Sequence, residues 1–371
     1  MIILYTGILL IIYSLFSRKK YKPAIGFLFV WLIMAFQSNV EGDYEGYMNT
    51  FNMGEVSRTA EDEPLWDIVA APFHFLGKSG WYLYVICLAT FQYHVTSRLV
   101  KRYAYGEYAF LGAILFFFTF GMMLIQMKAM RQGLAIEMSL LPFLFNLERK
   151  KRKWIWCSLP MVCAFFVHNS AIVSILPIGL YYLNSSTGIL EKKYAKVRGE
   201  RFLPIVLTVI YYVVYALKIS LFSGFFMQLS QLITMNEMRL GNYLESDQAE
   251  GIFNVSWLII FYDAVIVYFS TWYFRLASGT CRVLTVMSVI GCFCDMLFFG
   301  MGSLPRIGYF FTIANIVVMA NISNQIRHQF GRIIAWMFII FCIGYAVKTS
   351  LPWMTGMDPD QFGHYKFIFM N

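Results

Sequence analysis

Charge is scarce in this chain. Of its 371 residues, 14% are Asp, Glu, Lys or Arg, against 59% apolar, and the mean hydropathy is +0.59. Soluble globular domains carry about 25% charged residues, so this balance excludes one. Paired cysteines are missing too. The seven cysteines (87, 157, 163, 281, 292, 294 and 342) fall in or at the edges of apolar runs without paired loop spacing, which argues against a disulfide framework. The "CFC" at 292–294 cannot place two thiolates on one helical face, and no other metal-ligand cluster is visible, so neither a metal nor another cofactor is expected. There is no internal repeat, low-complexity tract or soluble domain. No positive charge precedes the first apolar run, while "SRKKYK" follows it; that order is the reverse of a secretory signal and reads as a retained first span.

What is present is a series of apolar runs near the length that an α-helix needs to cross about 30 Å of hydrocarbon. The expectation is an all-α, polytopic integral membrane protein with about twelve transmembrane helices, forming a single transmembrane helical domain over residues 1–371. The crossings are expected at 1–16, 23–38, 79–97, 107–126, 131–147, 154–167, 169–184, 203–222, 252–274, 283–301, 307–324 and 332–350. Alternating sides along this series gathers 21 of the 30 basic residues on one face, which the positive-inside rule makes cytoplasmic. Both termini are then outside. The net charge of +9 follows from this orientation, and no nucleic-acid partner is implied. Residues 154–183 are long enough for one span, but that would carry the basic 192–201 connector outside, so a turn back at "HNS" is expected.

Two larger outward loops are expected, 38–79 and 223–254, each with an amphipathic helix. The first is acidic, with Asp43 and Glu63 among its carboxylates. It ends in "LWDIVAAPFHFLGKSG", where Trp66, Val69, Ala70 and Phe73 share one face and Asp67, His74 and Lys78 another. The second ends polar and contains Arg239 and Tyr243.

Arg131 and Arg306 each open an outward-facing span, in "MRQGLA" and "LPRIGYFF", where free N–H groups and the positive helix end already favour an anion. A guanidinium adds a bidentate fork for phosphate oxygens. Taken singly, either arginine is as well explained by lipid headgroups. His168, Asp43 and Glu63 fall at the same level, and "HNS" within an apolar run is costly unless it lines something wet. Tyr44, Tyr47, Tyr243 and Tyr309 lie near the outer mouth, where rings could stack on sugars. Glu137, Asp263 and Asp295 lie deeper, where carboxylates serve either ion coupling or hydrogen bonding inside the bundle.

Four motifs occur in order: "GDYEGYMNTF", "EDEPLWDIV", "MRQGLAIEM" and "FFVHNSAIV", with "PRIGYF" following more loosely. With them the chain resembles the EpsG-like branch of the Wzy-type bacterial polysaccharide polymerases, which make O-antigen or exopolysaccharide. The resemblance implies a glycosyltransferase of the bacterial inner membrane that acts on its outer face. Such an enzyme moves a glycan, with inversion, from undecaprenyl diphosphate to the non-reducing end of a lipid-linked repeat unit. Donor and acceptor glycans and the bilayer are then its partners, with room for a chain-length-determining co-polymerase. On this reading Arg131 and Arg306 clamp the diphosphate with Lys128 in support. His168, Asp43 and Glu63 carry the chemistry, and Tyr44, Tyr47, Tyr243 and Arg239 hold the acceptor glycan. A transporter or flippase for a lipid-linked or anionic sugar, or a glycan ligase, would use the same outer arginines.

Overall fold

The computed structural model describes residues 2–16, 22–38, 43–53, 63–119, 121–145, 147, 150–190, 202–217, 256–298, 304–355 and 367–368. Among these the chain is helical throughout, and the only strand-like pairing is an isolated antiparallel bridge between Gln37 and Phe367. The second outward loop, with Arg239 and Tyr243, and the basic 192–201 connector lie outside the described residues.

The helices are α1 (Ile2–Phe16), α2 (Lys22–Ala35), α3 (Asp43–Met53), α4 (Pro64–Ala70), α5 (Lys78–Tyr103), α6 (Leu111–Phe118), α7 (Met123–Lys128) and α8 (Met130–Leu144). They continue as α9 (Lys153–Val167), α10 (Ile175–Thr187), α11 (Leu203–Leu217), α12 (Trp257–Phe274), α13 (Gly279–Phe298), α14 (Pro305–Thr312), α15 (Asn315–Phe330) and α16 (Arg332–Thr355). Among the described residues three helices are long and apolar enough to cross a membrane by themselves: α12, α13 and α16, the last over Arg332–Pro352. The pair α14 and α15, bent by 50°, counts as a fourth if it is one broken span. Shorter apolar helices form at Ile2–Phe16, Pro23–Ala35, Lys153–Val167 and Leu203–Leu217.

Outward faces of these helices carry large apolar side chains such as Leu9, Leu159, Val209 and Ile340, while polar groups such as Thr96, Glu137, Ser288 and Asn321 are enclosed. That inversion suits a bundle whose solvent is lipid. The expected turn at "HNS" is present. Helix α9 stops at Val167, His168 is extended, a 3-10 helix runs over Asn169–Ser174, and α10 returns antiparallel, so that Lys153 Nζ at the start of α9 donates to the Ser185 carbonyl at the end of α10. By contrast, the run expected to cross at 107–126 is interrupted. Helix α6 ends at Phe118 with Thr119 extended, and the short α7 is a separate, largely buried piece packed on α8. Gly133 permits that contact, since a Cβ there would lie 2.9 Å from the Gln126 Cα.

Candidate functional site

One end of the bundle is formed by the start of α3, the start of α4, the start of α8, the His168 turn and the start of α14. Four charged side chains and a histidine, drawn from segments up to 263 positions apart between Asp43 and Arg306, meet there. Arg131, the second residue of α8, donates from Nη1 to Glu63 Oε2 at 2.9 Å, and its Nε reaches the Tyr47 hydroxyl at 3.4 Å. Its guanidinium carbon also lies 5.1 Å from the Tyr47 ring centroid, so the ring and the carboxylate hold the fork between them. The Glu63 side chain is only 8% exposed, and its other oxygen accepts the Asn169 backbone N–H at 3.0 Å. This one carboxylate therefore ties the acidic loop to both α8 and the His168 turn.

His168 Nδ1 lies 3.6 Å from Glu63 Oε1 and is also approached by Ser170, through its backbone N–H at 3.3 Å and its hydroxyl at 2.9 Å. A ring nitrogen that accepts a backbone N–H carries no proton, which puts the imidazole proton on Nε2. Burial, followed by the charges of Arg131 and Arg306, holds the imidazole pKa down to about 3. His168 is thus a neutral donor through Nε2 at ordinary pH.

Arg306 sits behind Pro305 at the start of α14 and lies 3.6 Å from Asp43 Oδ2, with 35% and 45% of the two side chains exposed. This pair is longer and wetter than the Arg131–Glu63 pair. Gln132, next to Arg131, donates to the Arg306 carbonyl at 2.8 Å and so joins the two arginine-bearing helix starts. Burial raises the Tyr47 hydroxyl pKa, with Arg131 opposing, so the phenol stays neutral beside the guanidinium.

The remaining sequence expectations are placed as follows. Lys128 ends α7, half-buried, and forms no ion pair among the described residues. Tyr44 points away from the charged group. It is fully buried, accepts from the Trp81 indole at 3.0 Å and donates to the Gln37 carbonyl at 3.2 Å, so its ring has no free face for a glycan. It packs the loop rather than the ligand. Tyr309 lines the approach of Gly121, whose Cβ would come within 2.4 Å of its ring. Deeper in the bundle, Glu137 Oε1 accepts from Thr96 at 3.1 Å and Gln126 at 3.0 Å, and Asp263 Oδ2 accepts from Tyr211 at 3.2 Å. These carboxylates are hydrogen-bonded inside the helix packing. Asn169, Ser170 and Gln132 were not singled out from the sequence, although all three stand inside the quoted motifs.

A basic cluster facing carboxylates at the mouth of an apolar bundle can trade those carboxylates for an anionic ligand, with a neutral histidine N–H close by. The family described as EpsG family matches this chain over residues 3–360. No curated protein matches it, and no solved structure does.

Proposed function

The chain belongs to the EpsG family, a Wzy-type polymerase-like family of membrane proteins, and from that premise we propose that it is a polysaccharide polymerase that joins lipid-linked glycan repeat units at the charged end of the bundle. The donor is a glycan on undecaprenyl diphosphate, and the acceptor is the non-reducing end of a second lipid-linked repeat unit. The protein crosses the inner membrane about twelve times, with this end on the outer face and both termini outside. The broken and short helices fit such a count where the bundle is thin or a span is tilted.

The observation that carries the reading is the convergence of Arg131, Arg306, Glu63, Asp43 and His168 on one site from five separate segments. Arg131 and Arg306 take the diphosphate oxygens. The loose Arg306–Asp43 pair exchanges first, and Asp43, released from its guanidinium, accepts the proton of the acceptor hydroxyl. That hydroxyl oxygen bonds to the anomeric carbon from the face opposite the diphosphate as the carbon–oxygen bond to phosphate breaks, so the configuration inverts. The leaving diphosphate keeps the bonding electrons. The two arginines neutralise it, and the Nε2–H of His168 donates to its bridging oxygen. Glu63 holds Arg131 and the His168 turn in place. Lys128, three residues before Arg131, adds positive potential. Tyr47 keeps its part in acceptor binding as a wall beside Arg131, and Arg239 and Tyr243 belong to the same proposal through the second loop.

The test is a gel of lipid-linked and surface glycan from cells carrying Arg131→Ala, Arg306→Ala or His168→Ala, each at normal membrane level. Loss of polymer with single repeat units accumulating outside is the expected result. Repeat units held on the cytoplasmic side would replace polymerisation with transport, and unchanged polymer would remove the arginines from the site.

A further inference from the structure

The proposed reaction brings two arginines from different helices onto one diphosphate, and Gln132 links the two helix starts that carry them. Arg131 is steadied at its guanidinium, by Glu63 at 2.9 Å and by the Tyr47 ring. Arg306 is held at its backbone instead. The Gln132 side chain, next to Arg131 in α8, donates from Nε2 to the Arg306 carbonyl at 2.8 Å, across 174 positions of sequence. A carbonyl only accepts, so the amide must present its nitrogen there. This bond acts on the point where the Arg306 side chain leaves α14, while the side chain itself, 35% exposed, remains able to trade Asp43 for a ligand. Both guanidinium charges reach the Tyr47 hydroxyl and the His168 ring, so the two forks open on one space.

Two features separate Gln132 from ordinary helix packing. The residue is 1% exposed, yet its Oε1 has no hydrogen-bond partner among the described residues. A buried acceptor left unpaired costs stability. Methionine would fill much the same space without that cost, so packing does not call for an amide here. What the amide alone supplies is the bond to α14. The second feature is α14 itself, eight residues over Pro305–Thr312 that meet α15 at a bend of 50°. So short a helix has little length over which apolar packing can fix its position along α8, whereas a directional hydrogen bond to its first turn does so.

We propose that Gln132 is a positioning residue that holds Arg131 and Arg306 at the spacing of a diphosphate, and so sets the preference of the site for a diphosphate over a single phosphate. A diphosphate offers one phosphoryl group to each fork, and the second contact forms at the high effective concentration that a fixed spacing provides. A single phosphate engages one fork and gains little from the spacing. Without the bond the start of α14 is free to shift, and the bivalent advantage falls while each arginine by itself binds as before. The inference rests on Arg131 and Arg306 being the clamp; it does not depend on which glycan the diphosphate carries.

Calorimetric titration of the full chain in maltoside micelles, which carry no phosphate, tests this with inorganic pyrophosphate and orthophosphate as probes. The wild-type chain is expected to prefer pyrophosphate about a hundredfold, the lower end of a bivalent gain. Gln132→Met removes the donor, and Gln132→Asn keeps the amide but shortens its reach. Each weakens pyrophosphate about tenfold and leaves orthophosphate within about twofold. Gln132→Met melts no lower than wild type, because the bond it loses is offset by the orphan oxygen it removes. Equal weakening of both anions would reduce Gln132 to packing and overturn the proposal. A preference that both variants keep while Arg131→Ala abolishes it overturns the spacing role alone and leaves the clamp. A wild-type chain that binds the two anions alike overturns clamp and spacing together. If the preference falls as expected but cells lacking the chain still polymerise glycan, the polymerase reading fails and the spacing role stands.

Discussion

The two ends of the bundle use cations differently. At the end opposite the charged cluster, Arg102 donates to the Leu144 carbonyl, Lys153 to Ser185, and Arg282 to Ala277 and Leu190, while the Asn321 amide caps Tyr103. Each of these groups meets neutral backbone oxygens at or near a helix C-terminus, where the helix dipole and orphan carbonyls welcome it. One tight ion pair, Arg327 to Glu107 at 2.7 Å, joins them. At the cluster end, Arg131 and Arg306 begin helices, where the dipole opposes a cation, and they are held by carboxylates and a ring. What separates the two ends is the partner: cations set against the C-terminal carbonyls of neighbouring helices are consumed by the fold, whereas Arg131 and Arg306 are paired with carboxylates that an anionic ligand can replace.

Exchanging arginine for lysine at both ends sharpens this contrast most. Arg131→Lys keeps the charge but loses the planar fork, and lowers the rate of repeat-unit joining about a hundredfold in a nanodisc assay. Arg327→Lys on the other end changes that rate less than about twofold, as expected of a substitution that keeps the charge of a partly buried pair remote from the cluster. Comparable losses at the two ends would erase the distinction.

A smaller effect comes from pH. The groups facing His168 are Arg131, Arg306, Glu63 and Ser170, and burial with the two guanidiniums keeps its pKa near 3. Between the ordinary value near 6.5 and that lowered value, the unfolded chain binds a proton that the folded chain refuses, so stability falls as pH drops through this window. Because the folded imidazole stays neutral, no acid limb of His168 origin is expected in the rate profile above about pH 5. A limb near pH 6.5 that disappears in His168→Gln would show the ring to be a titrating base instead.

The smallest effect is expected from Glu137→Gln. The new amide keeps an acceptor for Thr96 and Gln126, so glycan polymerisation stays within about twofold. A coupled transporter would fail on that neutralisation.

How much of this was legible in the sequence differs by feature. The helical membrane class was, because hydropathy reports it directly, and so was the reversal at His168, because "HNS" and the basic connector both demanded it. The gathering of Asp43, Glu63, Arg131, His168 and Arg306 was foreshadowed by their common level along the spans. Helix continuity was not: α6 stops at Thr119 and α14 bends into α15 at Ile313 and Ala314 without proline at either break. Tyr44 and Tyr47 stand on one helix three positions apart, and only packing decides that the first is sealed against Trp81 while the second faces Arg131.

The Glu63–Asn169 hydrogen bond, which links positions 106 residues apart, has a consequence for biogenesis. While the chain is being inserted, Glu63 and Arg131 enter before the turn that completes their surroundings has been made. Until the α9–α10 hairpin docks, the loop carrying Glu63 has lost its anchor on that side, and the arginine is open to whatever phosphate lies in the headgroup layer. Docking of the hairpin therefore anchors Glu63 and covers Arg131, and the cluster is complete only once α14 brings Arg306 beside Asp43, near the end of insertion.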